Sequence, residues 1–155
     1  GVTPIGYRAP SFSINDTTKW ALGILAKKGF KYDSSMVRTR HPDYGVGDIP
    51  RKPFYIGKIL EVPVTTWHNI SAGGGYFRLF PLFITKMILN KKENAIFYIH
   101  PWEFDKNQPR TFAKKMSFFK RFRHFVNIDK TEKKFIKLLQ KYKFTTMKKF
   151  IKENY

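Results

Sequence analysis

Ala95-Ile-Phe-Tyr-Ile-His100-Pro-Trp-Glu-Phe-Asp105 joins an apolar run to a histidine–proline pair. It opens as an apolar and aromatic run, the composition of a strand buried on both faces. It then ends in a histidine followed by proline. Pro101 has no N–H for a ladder, and its ring pushes His100 into an extended conformation. An imidazole at the carboxyl end of a buried strand is where α/β folds place catalytic groups. The same histidine could merely cap a core strand by bonding a nearby loop, and the strand alone leaves the two readings even.

Upstream, residues 4–12 read as a short strand that ends in a loop at Arg8-Ala-Pro10. Asn15 or Asp16 can cap a following helix whose apolar face carries Trp20, Leu22, Ile24 and Leu25. Lys27-Lys28-Gly29 closes that helix, and Phe30 to Asp33 starts a second strand. Strand, helix and strand within about thirty residues make a βαβ unit and argue for a parallel sheet. Turn residues and prolines fill Ser34 to Gly57, including His41-Pro-Asp-Tyr-Gly45, before another strand over Lys58–Val64. Gly73-Gly-Gly75 lets the backbone approach something closely. No Gly-Lys-Ser/Thr follows it, which excludes a phosphate-binding loop. Pro81 opens a helix through about Asn90, with Leu82, Phe83, Met87 and Ile88 on its face.

Downstream, Phe112 to Arg123 interleaves aromatic rings with cations. Such a segment can stack on bases, stack on sugar rings, or be core with basic flanks. Asp129-Lys-Thr-Glu132 has the spacing of a capping box for a helix carrying Phe135, Ile136, Leu138 and Leu139. Thr145 or Thr146 starts a final short helix through Phe150 and Ile151. Both terminal helices are expected to cover the sheet, and no internal repeat is visible.

The chain has 155 residues, enough for one domain with a substantial core, and its 16 phenylalanines predict an aromatic one. It contains no cysteine, so disulfides, cysteine metal sites and thiol nucleophiles are excluded. The apolar runs fall far short of the roughly 20 residues of a membrane span, and no signal peptide is visible. The net charge of +19 favours polyanionic partners. Lysine dominates that charge and spreads it diffusely, so decoration of solvated faces ranks ahead of nucleic-acid binding. Opening on Gly1, with Val2-Thr-Pro already approaching a strand, the sequence reads as one entered part-way through a fold.

Five short motifs, in order, resemble the polysaccharide deacetylases. They are Gly6-Tyr-Arg8-Ala-Pro10-Ser-Phe12-Ser, Tyr32-Asp33-Ser-Ser, Gly73-Gly-Gly-Tyr76-Phe-Arg78, Phe97-Tyr-Ile99-His100-Pro-Trp102-Glu, and Phe122-Arg-His-Phe-Val-Asn127. The nearest subgroup is associated with exopolysaccharide biosynthesis and carries a C-terminal extension. The resemblance implies an α/β fold, the C-terminal part of a distorted (β/α) barrel of the seven-stranded type with terminal helices. Residues 1–110 would be barrel, with an insertion at about 38–80, and 111–155 the extension of the same domain.

The activity implied is removal of N-acetyl groups from amino sugars of a polymer. A divalent metal, zinc in most members, activates water there; an aspartate is the base and a histidine protonates the leaving amine. By correspondence, His100 is the catalytic histidine and Arg8 the arginine that orients the base. Asp33 is the carboxylate supporting the histidine, with Glu61 as its rival. A carboxylate beside an imidazole favours the protonated form that an acid needs. Tyr7, Pro10, Phe12, Tyr76 and Trp102 would line the sugar groove, and Ile99 would stand beside the acetyl methyl. The Asp-Asp pair and His-x-x-x-His metal motif of the family precede the arginine segment and do not occur in these residues. The metal ligands and the base are therefore expected outside this chain. The sequence does not fix the compartment, which for a bacterial or archaeal protein of this kind is the cytoplasm or the cell envelope. The expected partner is an N-acetylated polysaccharide, with no specific nucleic acid. The alternatives are a non-catalytic carbohydrate- or polyanion-binding remnant and, third, a basic nucleic-acid-binding protein.

Overall fold

A computed structural model describes residues 1–39 and 45–155, with the side chain of Phe112 excepted. The turn expected at His41–Tyr44 lies outside the described residues. The chain forms two compact units, Gly1–Ser71 with Thr145–Tyr155, and Ala72–Phe144.

The first unit begins with the βαβ arrangement. β1 (Gly6–Tyr7) leads through a 3₁₀ turn at Pro10–Phe12 to α1 (Trp20–Lys27) and then β2 (Tyr32–Asp33). β1 and β2 pair in parallel, Gly6 opposite Tyr32. β3 (Phe54–Ile56) runs antiparallel to β4 (Ile59–Glu61), which joins β2 in parallel and completes the order β1-β2-β4-β3. A hairpin of β5 (Thr66–Trp67) and β6 (Ile70–Ser71) follows. Leu22, Met36, Val46, Ile49 and Ile59 are buried together, with Phe30 and Phe54 packed against them.

α1 starts later than expected because Asn15 makes its own turn first. Its Oδ1 accepts from the Thr17 N–H at 3.0 Å, and no side chain caps the helix itself. Its inward face is Leu22 with Ala21, Leu25 and Ala26, whereas Trp20 and Ile24 are exposed. Gly29 (φ 88°) provides the left-handed turn that ends it.

In the second unit, α2 (Gly74–Leu79) and α3 (Leu82–Asn90) precede the 95–105 stretch. Among the described residues no ladder forms over 95–100, contrary to the expected buried strand. Ile96 to Ile99 are only half-buried and His100 is exposed. The backbone of this segment meets the start of a helix rather than a strand, the Gly74 N–H donating to Tyr98 O at 3.0 Å. Glycine is required there: a Cβ on Gly73 would lie 1.9 Å from Tyr98 O, and Gly74 has φ 56°.

Pro101–Phe104 forms a 3₁₀ turn, and α4 (Phe118–Phe125) and α5 (Ile128–Lys141) complete the unit. α5 packs on α2 and on Pro101–Phe104. It begins from Asn127 in a left-handed conformation (φ 52°) with no side-chain cap, so Asp129 and Glu132 lie inside the helix instead of boxing its end. Leu138 is buried, while Ile136 and Leu139 stay largely exposed, as does Phe83 of α3. Phe97 meets Phe77 edge-on at 5.3 Å and stacks on Phe135 at 6.0 Å, but the buried residues described are mainly aliphatic rather than the aromatic core expected, and Phe83, Phe118, Phe119 and Phe122 are exposed. In the first unit, Thr146 caps α6 (Met147–Asn154), its hydroxyl accepting from the Lys149 N–H.

The described residues are thus mixed α/β, with six helices, small sheets and no closed barrel. Among them, no helix is long and apolar enough to cross a membrane.

Candidate active site

His100 sits at the entry of the 3₁₀ turn, where Pro101 supplies the fixed φ of a first helical position. The residue two beyond that proline turns back on it. Glu103 Oε1 lies 2.7 Å from His100 Nδ1 and accepts the His100 backbone N–H at 3.1 Å. The carboxylate places the ring proton on Nδ1 and leaves Nε2 as the other working nitrogen. The His100 side chain is 49% exposed and that of Glu103 is 0% exposed, so a solvent-facing imidazole rests on a buried anion.

A second residue fixes that anion. Arg78 Nε donates to Glu103 Oε2 at 2.7 Å, and the Arg78 side chain is itself buried. Burial alone would raise the Glu103 carboxyl; the hydrogen bonds from His100 and Arg78 outweigh it and hold the group below its ordinary value. Arg78 also donates to the carbonyl of His124 and lies over the Trp102 ring at 4.8 Å. Asn127 in turn donates to Arg78 O at 3.0 Å. The Lys134 ammonium bonds the carbonyls of Phe77 and Phe80 at the end of α2. Burial first, then the charges of Arg78 and Lys130, lowers its pKa to about 8.

Aromatic rings wall the imidazole. Tyr98 meets His100 edge-on at 5.6 Å, and Trp102 stacks on it at 5.9 Å. His124 stacks on Trp102 at 4.4 Å, and its Nε2 is 2.6 Å from Gln108 Oε1. Burial and the charge of Arg78 lower the pKa of His124, which favours a neutral ring there. Trp102 is 37% exposed. Tyr76 stacks on Phe80, and Ile99 is half-buried.

The other residues singled out in the sequence belong to the first unit. Arg8 grips the segment after β2, with Nε donating to Ser34 O at 2.8 Å and Nη2 to Ser34 Oγ at 2.7 Å. Its guanidinium stands 5.8 Å from the Phe12 ring centre. Phe12 is buried, whereas Tyr7 and Pro10 are exposed. Asp33 is fully buried and accepts from the Ser35 N–H at 3.0 Å and hydroxyl at 2.8 Å.

Opposite Asp33 in register is Glu61, also fully buried. One Glu61 oxygen accepts the Met36 N–H at 3.0 Å, and the other meets no N–H or hydroxyl donor. Burial raises the Glu61 pKa to about 10, helped by the hydrogen bond and charge of Asp33. The proton it keeps turns Glu61 into a donor toward Asp33, as two carboxyls at one site require.

Among the described residues, no group of three or more His, Asp or Glu could hold a metal ion. These residues therefore do not fit the metal that the resemblance implies. Glu103 and Arg78 both stand within the motifs that carry the resemblance, yet neither was assigned a role in the sequence. The available signal was spacing: a carboxylate three residues after an extended residue, with proline between, is a capping-box pattern.

Fold and site define a mixed α/β protein whose exposed histidine is carried on a buried glutamate–arginine pair. The chain belongs to the family described as domain of unknown function DUF3473, matched over residues 34–152. No curated protein and no solved structure matches it.

Proposed function

We propose that this chain carries the general-acid part of a polysaccharide deacetylase, an enzyme that hydrolyses N-acetyl groups on the amino sugars of a polymer. The observation that carries the reading is the arrangement of His100 on Glu103 on Arg78. Cleaving an amide expels an amine that is a poor leaving group until it gains a proton. With Nδ1 held by the buried carboxylate, His100 can present an Nε2–H outward to that nitrogen. Glu103 stabilises the imidazolium, and Arg78 keeps Glu103 ionised and fixed in direction. Tyr98 and Trp102, whose rings pack beside the imidazole, hold it in place for that transfer.

On this reading the supporting carboxylate for His100 is Glu103, with Asp33 and Arg8 serving the first unit. The base aspartate and the metal ligands come from sequence other than these 155 residues, and what this chain supplies is the proton. The ordered motifs that resemble those of the deacetylases support an association with exopolysaccharide biosynthesis.

The test is acetate release from N-acetylated oligosaccharides by the whole protein supplied with zinc. Replacing His100 with alanine should lower the rate by roughly 10²–10⁴-fold, the usual worth of a positioned acid. Acetate release that survives the substitution, or none from the unaltered protein with any N-acetylated glycan offered, refutes the proposal.

A further inference from the structure

α4 is built with its apolar side outward. Successive residues advance by about 100° around a helix, so Phe118, Phe119 and Phe122 share one side and His124 lies on the other. His124 is the side that faces the protein, stacked on Trp102 at 4.4 Å. The phenylalanine side is correspondingly open, with Phe118 78% and Phe119 75% exposed. Arg110, Arg121, Phe118, Phe122 and Phe125 line a shallow groove of about 410 Å³ on this surface. Between Asp105 and Asp129 the chain carries seven lysines and arginines and no acid.

We infer that α4 and its groove form a docking surface for an anionic phospholipid bilayer, lying in the interface rather than crossing it. Adjacent exposed phenylalanines flanked by cations are the composition of an interfacial helix: rings enter the acyl boundary while arginine and lysine meet the headgroup phosphates. The absence of acid over this segment removes the repulsion that would oppose an anionic surface. Phenylalanine also favours lipid over an acidic glycan, because sugar platforms use the polar edge of tryptophan or tyrosine to bond hydroxyls, and phenylalanine has none. The surface is independent of the proposed catalytic role.

The experiment is co-sedimentation of the full chain with phosphatidylcholine vesicles, with and without phosphatidylglycerol, and in parallel with alginate. The variant is Phe118→Ser with Phe119→Ser, which leaves the +19 charge unchanged. Both rings are exposed, so its thermal melt should match that of the unaltered chain. Binding to phosphatidylglycerol vesicles should exceed binding to phosphatidylcholine, and the variant should lose about tenfold of it at the same salt. Equal binding by variant and unaltered chain would reduce the effect to diffuse charge and overturn the inference. So would alginate binding that falls with the double substitution while vesicle binding does not, absence of vesicle binding, or burial of α4 in a dimer at the protein concentrations used.

Discussion

Replacing Glu61 with glutamine should make the protein more stable, and increasingly so as pH rises. In the folded state the Glu61 pKa is raised from 4.5 to about 10. The folded form keeps a proton that the unfolded chain releases, so the stability linked to Glu61 is fully present below about pH 4.5 and is lost progressively as pH climbs toward 10. Each pH unit in that window is worth about 1.36 kcal/mol. Between about pH 5 and about pH 8 the unaltered chain should lose up to roughly 4 kcal/mol from this group alone. Glutamine has nearly the same shape. Its carbonyl can accept the Met36 N–H, and its amide can donate to Asp33 as the protonated acid does, with no proton to lose. Urea unfolding at the two pH values measures the difference. Subtracting one protein from the other cancels the pH dependence of the remaining charges. The variant should match the unaltered chain near pH 5 and exceed it near pH 8. A pH-independent difference, or a variant that is the less stable one at pH 8, would refute a proton shared between Asp33 and Glu61.

The remaining perturbations each address one contact. Glu103→Gln leaves the Arg78 cation buried without a counter-charge, which should cost roughly 3–5 kcal/mol in a chemical melt; a loss below about 1 kcal/mol would show that the pair is solvated. Gly73→Ala places a methyl 1.9 Å from Tyr98 O and should destabilise by about 1–3 kcal/mol, with faster proteolysis around residue 98. An unchanged cleavage pattern would mean that Tyr98 does not rest on the glycines. Thr146→Ala removes the one side-chain cap found at an α-helix N-terminus among the described residues and should cost about 1 kcal/mol, read by thermal melting.

Local patterns were the legible part of this fold. The βαβ unit emerged from a 3.6-residue apolar period between two short extended runs, and Thr146 began one helix and Gly29 ended another for reasons that a few neighbouring residues decide. The 95–100 segment misled because its composition is that of a buried strand, while its actual neighbour is the glycine-rich start of α2, more than twenty residues away. Asp129 and Glu132 matched a capping box, but Asn127 adopted the left-handed conformation that starts α5 two residues earlier. In the site, His100 was visible from its place before proline. Arg78 was not, since an arginine in a basic chain carries no mark of burial, and only the tertiary approach of α2 to Pro101–Phe104 gives it a partner.

If His100 delivers a proton to a leaving amine, the cost of losing it must depend on the leaving group. The whole protein and its His100→Ala variant would be compared on an N-acetylated oligosaccharide and on 4-nitrophenyl acetate, whose phenolate departs without protonation. The variant should lose roughly 10²–10⁴-fold on the amide and little on the ester. Equal losses on both substrates would contradict the account and leave His100 a structural residue of the turn it begins.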